Sequence, residues 1–174
     1  MTFSTVGLDW FAMAVTTPAR VVPPLPEELV ASTTFLLKRL GFAAKDRSVT
    51  AYEREGVHPY HFAILIALDE GEHETQGSIA DVLGYDRGQL VGLLDELEEK
   101  GLVDRRRDPN DRRRQLVHLT GDGKRMLRRL RTRAREIEDD FLAPLNTSER
   151  ADLHALLLRL AERHEPRCAP LEPR

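Results

Sequence analysis

Apolar residues recur at three-to-four spacing along most of this chain, which predicts a mainly helical protein interrupted once by a short hairpin. Over residues 27–49, Leu29, Thr33, Leu36, Leu37 and Leu40 fall on one stripe and predict a helix, with 52–57 as the loop after it. Residues 58–68 predict a short amphipathic helix that buries Phe62, Leu65 and Leu68 and stops near Gly71. Thr75 suits the N-cap of a helix over 76–83, with Ile79, Ala80 and Leu83 inward and Gly84 in the left-handed position after it. Asp86 opens the next helix, where Asp86 and Gln89 have capping-box spacing and Leu90, Leu93, Leu94 and Leu97 repeat until Gly101.

The period then changes. Val103, Arg105 and Arg107 would share one face of a strand, Val117 and Leu119 one face of a second, around the turn Asp108-Pro109-Asn110-Asp111. Helical spacing returns after Thr120 and Asp122, a cap and a negative charge at the positive end of the helix dipole. Leu127, Leu130, Ala134, Ile137 and Phe141 form a narrow seam of the coiled-coil kind, ended by Pro144. Asn146 or Thr147 caps a last helix with the stripe Leu153, Leu156, Leu157 and Leu160. An arm, 1–26, carries Trp10, Phe11 and Met13 and closes on Pro23-Pro24-Leu25-Pro26; a Pro-rich tail covers 165–174.

Composition narrows the class. With 174 residues, 41% apolar and 32% charged, the chain fits one globular unit with helical extensions. The uncharged stretch 11–19 is too short to span a bilayer, and the first ten residues carry no Lys or Arg, so a cytoplasmic protein without a membrane partner is expected. Net charge is −3, which alone argues against nucleic acid, but residues 100–135 hold fourteen cations against four acids. A basic segment on an otherwise acidic chain is expected to steer and orient an encounter with a polyanion.

Three arginines on each side of one turn (Arg105, Arg106, Arg107; Arg112, Arg113, Arg114) suit a wing, beside a helix pair joined by a short turn at Gly84. The pieces make a winged helix-turn-helix, mainly α with a small β-hairpin, whose natural partner is double-stranded DNA. The second helix would enter the major groove with Arg87, Gly88, Gln89, Val91 and Gly92. Arg87 suits guanine or phosphate, Gln89 adenine, and Val91 a thymine methyl, although capping competes for Gln89. In the wing, Arg113 is the first choice for the minor groove, with Arg107, Arg112 and Arg114 near phosphates and Asp111 orienting Arg113 by an ion pair.

The run IADVLGYDRGQLVGLLDELEEKGLVDRRRDPNDRRRQLVHLT resembles the core of the multiple-antibiotic-resistance regulator (MarR) family. Its wing pattern, D-x-R-x-x-x-V-x-L-T, is met by Asp111, Arg113, Val117, Leu119 and Thr120, and a looser helical likeness covers 27–163. The resemblance implies a homodimer held together by 27–57 and 121–164, with 58–120 as the DNA-binding lobe on each half of a pseudo-palindromic operator. It implies a transcriptional repressor that lets go of DNA when a small aromatic or anionic effector enters a crevice between dimer and DNA lobes. Leu36, Leu40, Tyr52, His58, Tyr60 and His61 are the expected lining of that crevice. Asp86 and Gly88 stand where members of the family often have Ser or Thr, and Gly92 where they often have Arg, so an acid sits near the DNA and two reading side chains are missing.

Other chemistries are less well served. His58, His61 and His73 with Glu70, Glu72 or Glu74 could ligate zinc, but their spacing matches no compact motif. Cys168, the single cysteine, offers at most a redox-responsive thiol or a link between chains. No nucleophile elbow, phosphate loop or H-E-x-x-H run appears, so neither an enzyme nor a bound cofactor or metal is expected. A protein-docking module is the remaining alternative, for which an arginine-rich wing would be of little use.

Overall fold

The computed structural model describes residues 23–71, 75–109, 111 and 114–168. Among the described residues, seven α-helices and one hairpin follow in the order α1 (Glu27–Val30), α2 (Thr33–Glu53), α3 (Pro59–Asp69), α4 (Gln76–Leu83), α5 (Arg87–Glu99), β1 (Val103–Arg107), β2 (Gln115–Leu119), α6 (Gly121–Phe141) and α7 (Thr147–His164). A 3-10 turn, Pro166–Cys168, ends the described chain. The expected mainly α fold with a β-hairpin is therefore present. The chain divides into two compact units between Leu37 and Lys38. Of the first unit, residues 23–37 are described: α1 and the first residues of α2, with Leu25, Leu29, Val30, Leu36 and Leu37 all exposed.

Two expectations for this region are corrected. The single helix over 27–49 is interrupted at Ala31 and Ser32, and its second part runs on to Glu53. Tyr52 consequently lies in the last turn of α2 rather than in a loop, where it is 5% exposed and packs its ring 5.1 Å from that of Phe62. A buried aromatic gains enough from leaving water to hold one more helical turn in place.

The second unit holds the core. Ile64, Leu65, Ile79, Leu90, Leu94, Leu97, Val103, Val117, Leu127 and Leu130 are almost completely buried and form one cluster with Tyr52, Val57, Ala80 and Leu102. The 3.6-residue stripes of α3, α4 and α5 converge there, and the inward positions of β1 and β2 close it from the hairpin side. Ile64, which the predicted stripe omits, is fully buried, while Phe62 is only partly so.

The seam expected on α6 is corrected at two of its five positions, while Ala134, Ile137 and Phe141 stay partly exposed. Leu127 and Leu130 are 1% and 0% exposed because they complete this chain's own core. Periodicity finds a helix's apolar face, not what covers it. The stripe on α7 behaves differently: no residue of α7 is buried, and Leu156, Leu157 and Leu160 are 54%, 40% and 46% exposed.

Gly84 and Gly123 set the joints. Gly84 takes φ +65° at the end of α4, the left-handed cap that turns the chain into Asp86. Gly123 lies against the backbone of Leu102, so closely that a Cβ there would overlap the Leu102 carbonyl oxygen. Thr120 fastens the same joint: its hydroxyl donates to Gly101 O at 2.7 Å and accepts from Gly123 N at 3.0 Å. The wing base, the end of α5 and the start of α6 thus meet at one junction.

Candidate nucleic-acid interface

The exposed start of α5 is fixed from behind and below. Leu90, Leu94 and Leu97 anchor its inner face, while Asp86 Oδ1 accepts from Gly88 N at 2.8 Å and Gln89 N at 3.1 Å. No reciprocal bond from Gln89 completes the expected capping box. The competition anticipated for its amide is absent, and Arg87, Gly88, Gln89, Val91 and Gly92 are all exposed.

The hairpin brings a second element alongside. Antiparallel pairing runs from Val103↔Leu119 to Arg107↔Gln115, so β2 begins two residues before Val117. A bridge between Thr75 and Leu116 adds the start of α4 to the sheet, and Gln76 Nε2 lies 3.5 Å from Gln115 Oε1. Between these elements lies an open hollow of ≈ 560 Å3, lined by Gln76, Ser78, Arg87, Val91, Arg114 and Gln115 among others. Sequence reading placed Arg87, Val91 and Arg114 on such a surface but missed Gln76 and Gln115. Their signal was the N-cap Thr75, since a helix start fixed beside a strand carries its first residues to that strand.

At the hairpin tip, Asp108 N donates to Arg114 O at 3.1 Å and Arg114 N to Asp111 O at 2.8 Å. Arg107 and Arg114 are exposed, and Arg114 Nε stands 3.7 Å from Asp111 Oδ2. Arg112 and Arg113, both expected at the DNA, lie outside the described residues, as does the orienting pair expected between Asp111 and Arg113.

The six wing arginines do not all face solvent, which corrects the sequence reading. Arg105 follows Val103 by two residues and so turns inward with it. Its side chain is 18% exposed, with Nη2 placed 2.6 Å from Asp95 Oδ1 and 2.5 Å from Glu98 Oε2. Hydrogen bonding to that guanidinium holds the Glu98 carboxyl below its usual range and pushes Arg105 up. Arg106 is paired with Asp104 at 2.6 Å.

Nor do the cations of 100–135 form one face. Lys100, Arg125, Arg128 and Arg129 line a different hollow, at the opposite end of α5 from Arg87. Further along α6, Arg131 pairs with Asp69 at 2.9 Å and Arg133 with Glu136 at 2.6 Å and Glu55 at 3.3 Å.

The residues expected to line an effector crevice take separate roles. Leu36 and Leu40 are 39% and 53% exposed and Tyr52 is a core residue, whereas His61, 1% exposed, lines with His58 a small hollow of ≈ 240 Å3. His58 is the N-cap of α3: its Nδ1 accepts from Tyr60 N at 3.3 Å, and its backbone N donates to His61 Nδ1 at 3.1 Å. The His58 and Tyr60 rings meet at a tilt with centroids 4.8 Å apart, and Tyr60 meets Tyr85 edge to face at 5.3 Å.

Because His61 Nδ1 accepts a hydrogen bond, its neutral ring carries the proton on Nε2, which is unsuited to a metal. That Nε2 is buried 3.2 Å from Glu96 Oε2, yet without hydrogen-bond geometry. Burial, the largest influence, lowers the His61 pKa; Glu96 opposes this, while His58 and Lys100 add to it. Among the described residues no three His, Cys, Asp or Glu converge as metal ligands. His73, Glu72 and Glu74 lie outside them. Cys168 is exposed. No described helix is long and apolar enough to cross a membrane.

Known proteins share this arrangement. Residues 55–114 match the MarR family profile. The protein named for transcriptional regulation of the hcr operon in Thauera aromatica is 33% identical over 129 residues, spanning 70% of this chain and 78% of that protein. The crystal structure of the PcaV transcriptional regulator from Streptomyces coelicolor superposes with a TM-score of 0.67 at 32% identity, covering 78% of this chain and 98% of PcaV. CouR from Rhodococcus jostii RHA1, solved with p-coumaroyl-CoA bound, gives a TM-score of 0.65 at 25% identity, covering 80% of this chain and 98% of CouR. With its helix pair, hairpin wing and core all accounted for by that likeness, the chain belongs to the MarR family of transcriptional regulators.

Proposed function

We propose that this regulator is a homodimeric repressor whose two winged lobes read a pseudo-palindromic operator in double-stranded DNA. The observation that carries the proposal is the hollow in which Arg87 and Val91 of α5 face Arg114 and Gln115 of the wing. In this reading Arg87 and Gln89 meet base edges and Val91 a thymine methyl, while Gly88 and Gly92 let the backbone approach the groove. Arg107, Arg112, Arg113 and Arg114 serve phosphates and the minor groove, where a narrow groove concentrates negative potential. Asp111 steadies the tip.

The uncovered stripe of α7 and the exposed Leu40 and Phe42 of α2 supply the dimer surface. Exposed leucines on successive turns are costly in water, and a second copy offers the same stripe in return. An aromatic or anionic effector is supported by the p-coumaroyl-CoA bound in CouR. Its candidate site is a hollow of ≈ 480 Å3 between α2 and α6, where Arg47, Arg54 and Arg133 stand among Asp46, Glu136 and Asp140, so an anion there would displace the Arg47–Asp140 and Arg133–Glu136 ion pairs. Of the crevice read from the sequence, Tyr60 offers an exposed ring, with the half-buried His58 beside it.

Selection of bound fragments from a genomic DNA library by the purified protein tests the proposal. Recovered fragments should share a pseudo-palindrome with half-sites about 10 bp apart, and aromatic carboxylates or their CoA thioesters should release them. Fragments with no common sequence, bound as weakly as random DNA, would show that the lobes do not read an operator.

A further inference from the structure

We infer that Arg105 is a positioning residue that locks the wing to the reading helix and makes no contact with DNA itself. The inference rests on the DNA-binding reading above. Pleating turns the Arg105 side chain to the inner face of β1, the face of Val103, opposite Val117. From there Nε and Nη2 both reach Glu98 Oε2, at 3.0 and 2.5 Å, and Nη2 also meets Asp95 Oδ1 at 2.6 Å.

Both acids belong to α5, and they lie three residues apart, on one face of the helix. One guanidinium therefore bridges two acids about one turn apart on the reading helix from the middle of the first wing strand. With a single partner an ion pair this near the surface would add little, but a planar donor shared by two carboxylates fixes an angle as well as a distance. Thr120 ties the wing only at its base, through Gly101 and Leu102. The Thr75–Leu116 bridge ties β2 to α4, and Arg105 adds the tether from β1 to α5 itself, which limits rocking of the wing against the reading helix. Wing arginines and α5 residues must reach the duplex together, so rocking would have to be arrested on binding, at an entropic cost to affinity.

The arginines at the tip have a different task. Each neutralised phosphate contributes a slope of about −0.9 to the dependence of log affinity on log salt. A positioning residue contributes affinity without contributing to that slope.

Hydrogen exchange on the free full-length protein is the first test. Arg105→Gln, and separately Asp95→Asn with Glu98→Gln, should each speed exchange of the β1–β2 amides while leaving α6 unchanged. Unaltered hairpin exchange would overturn the clamp whether or not the protein binds DNA. Affinity for an operator fragment is the second. Each variant should bind roughly tenfold more weakly with an unchanged salt slope, and the triple variant should be no weaker than Arg105→Gln alone. A slope reduced by about one phosphate would make Arg105 a DNA contact instead. Losses that multiply in the triple variant would show that the three groups act independently. Should wild type bind no operator at all, the DNA reading fails while the exchange result still decides the clamp.

Discussion

Replacing Gly123 by Ala should destabilise the protein, although the same change in an open helix would stabilise it. In a free helix Ala is favoured over Gly by about 1 kcal/mol. Here a built Cβ overlaps the Leu102 carbonyl oxygen and lies 3.0 Å from the Leu102 carbonyl carbon and 3.3 Å from Leu119 Cδ2. Two of these atoms are backbone, held by the bonds Leu102 N→Leu97 O at 2.9 Å and Thr120 N→Leu102 O at 3.1 Å, so no side-chain rotation relieves the clash. The start of α6 must retreat, at about 1–3 kcal/mol for overpacking, and the Thr120 cap at Gly123 N is weakened, at about 1 kcal/mol more. After the propensity gain, a net loss of roughly 2 kcal/mol remains. Urea unfolding of both proteins at one protomer concentration measures it as a lowered midpoint with an unchanged slope. A Gly123→Ala protein as stable as wild type, or more so, would refute the close approach of α6 to the wing junction.

Charge on α7 and truncation in the core should separate assembly from folding. Leu156→Asp with Leu160→Asp should yield folded monomers in sedimentation, because both positions are exposed in the single chain. Leu130→Ala, fully buried, should cost about 2–5 kcal/mol of stability, and a Leu130 variant that unfolds like wild type would return α6 to the dimer seam. Stability should also fall in mild acid through His61. Its folded pKa lies below the ordinary 6.5, so the unfolded chain takes up the proton first and stability is lost as pH drops from 6.5 toward the folded value. His61→Asn should flatten that limb between pH 7 and 5; an equally steep loss in the variant would assign the acid sensitivity to other groups.

The parts of this fold that were readable are those with local causes. Gly84, Asp86, Thr120 and Asn146 mark helix boundaries because their conformations or side chains satisfy the backbone within a few residues, and each stands where its type predicted. The break at Ala31 and Ser32 has no glycine or proline to announce it. Leu127 and Leu157 look alike in sequence, one in a core and one uncovered, because a stripe does not name its partner. Arg105 was open to better reading. Strand alternation placed it beside Val103, and six arginines in a row of charge obscured the pleat. The spread of basic residues from 100 to 135 misled in the same way, for sequence proximity on a helix and a hairpin does not make one surface.

That last point gives the most direct test of the claim that α5 and the wing form the DNA-reading face. Arg114 lines the hollow with Arg87, whereas Arg128 lines the hollow around Lys100, at the other end of a helix of 13 residues. At 1.5 Å per residue those ends are about 20 Å apart. Operator affinity of Arg114→Ala and Arg128→Ala, measured across a range of salt, compares two exposed cations of one basic segment. The account predicts a salt slope lower by about one phosphate for Arg114→Ala and the wild-type slope for Arg128→Ala. Equal losses in both would mean that charge alone, wherever it lies, attracts the DNA.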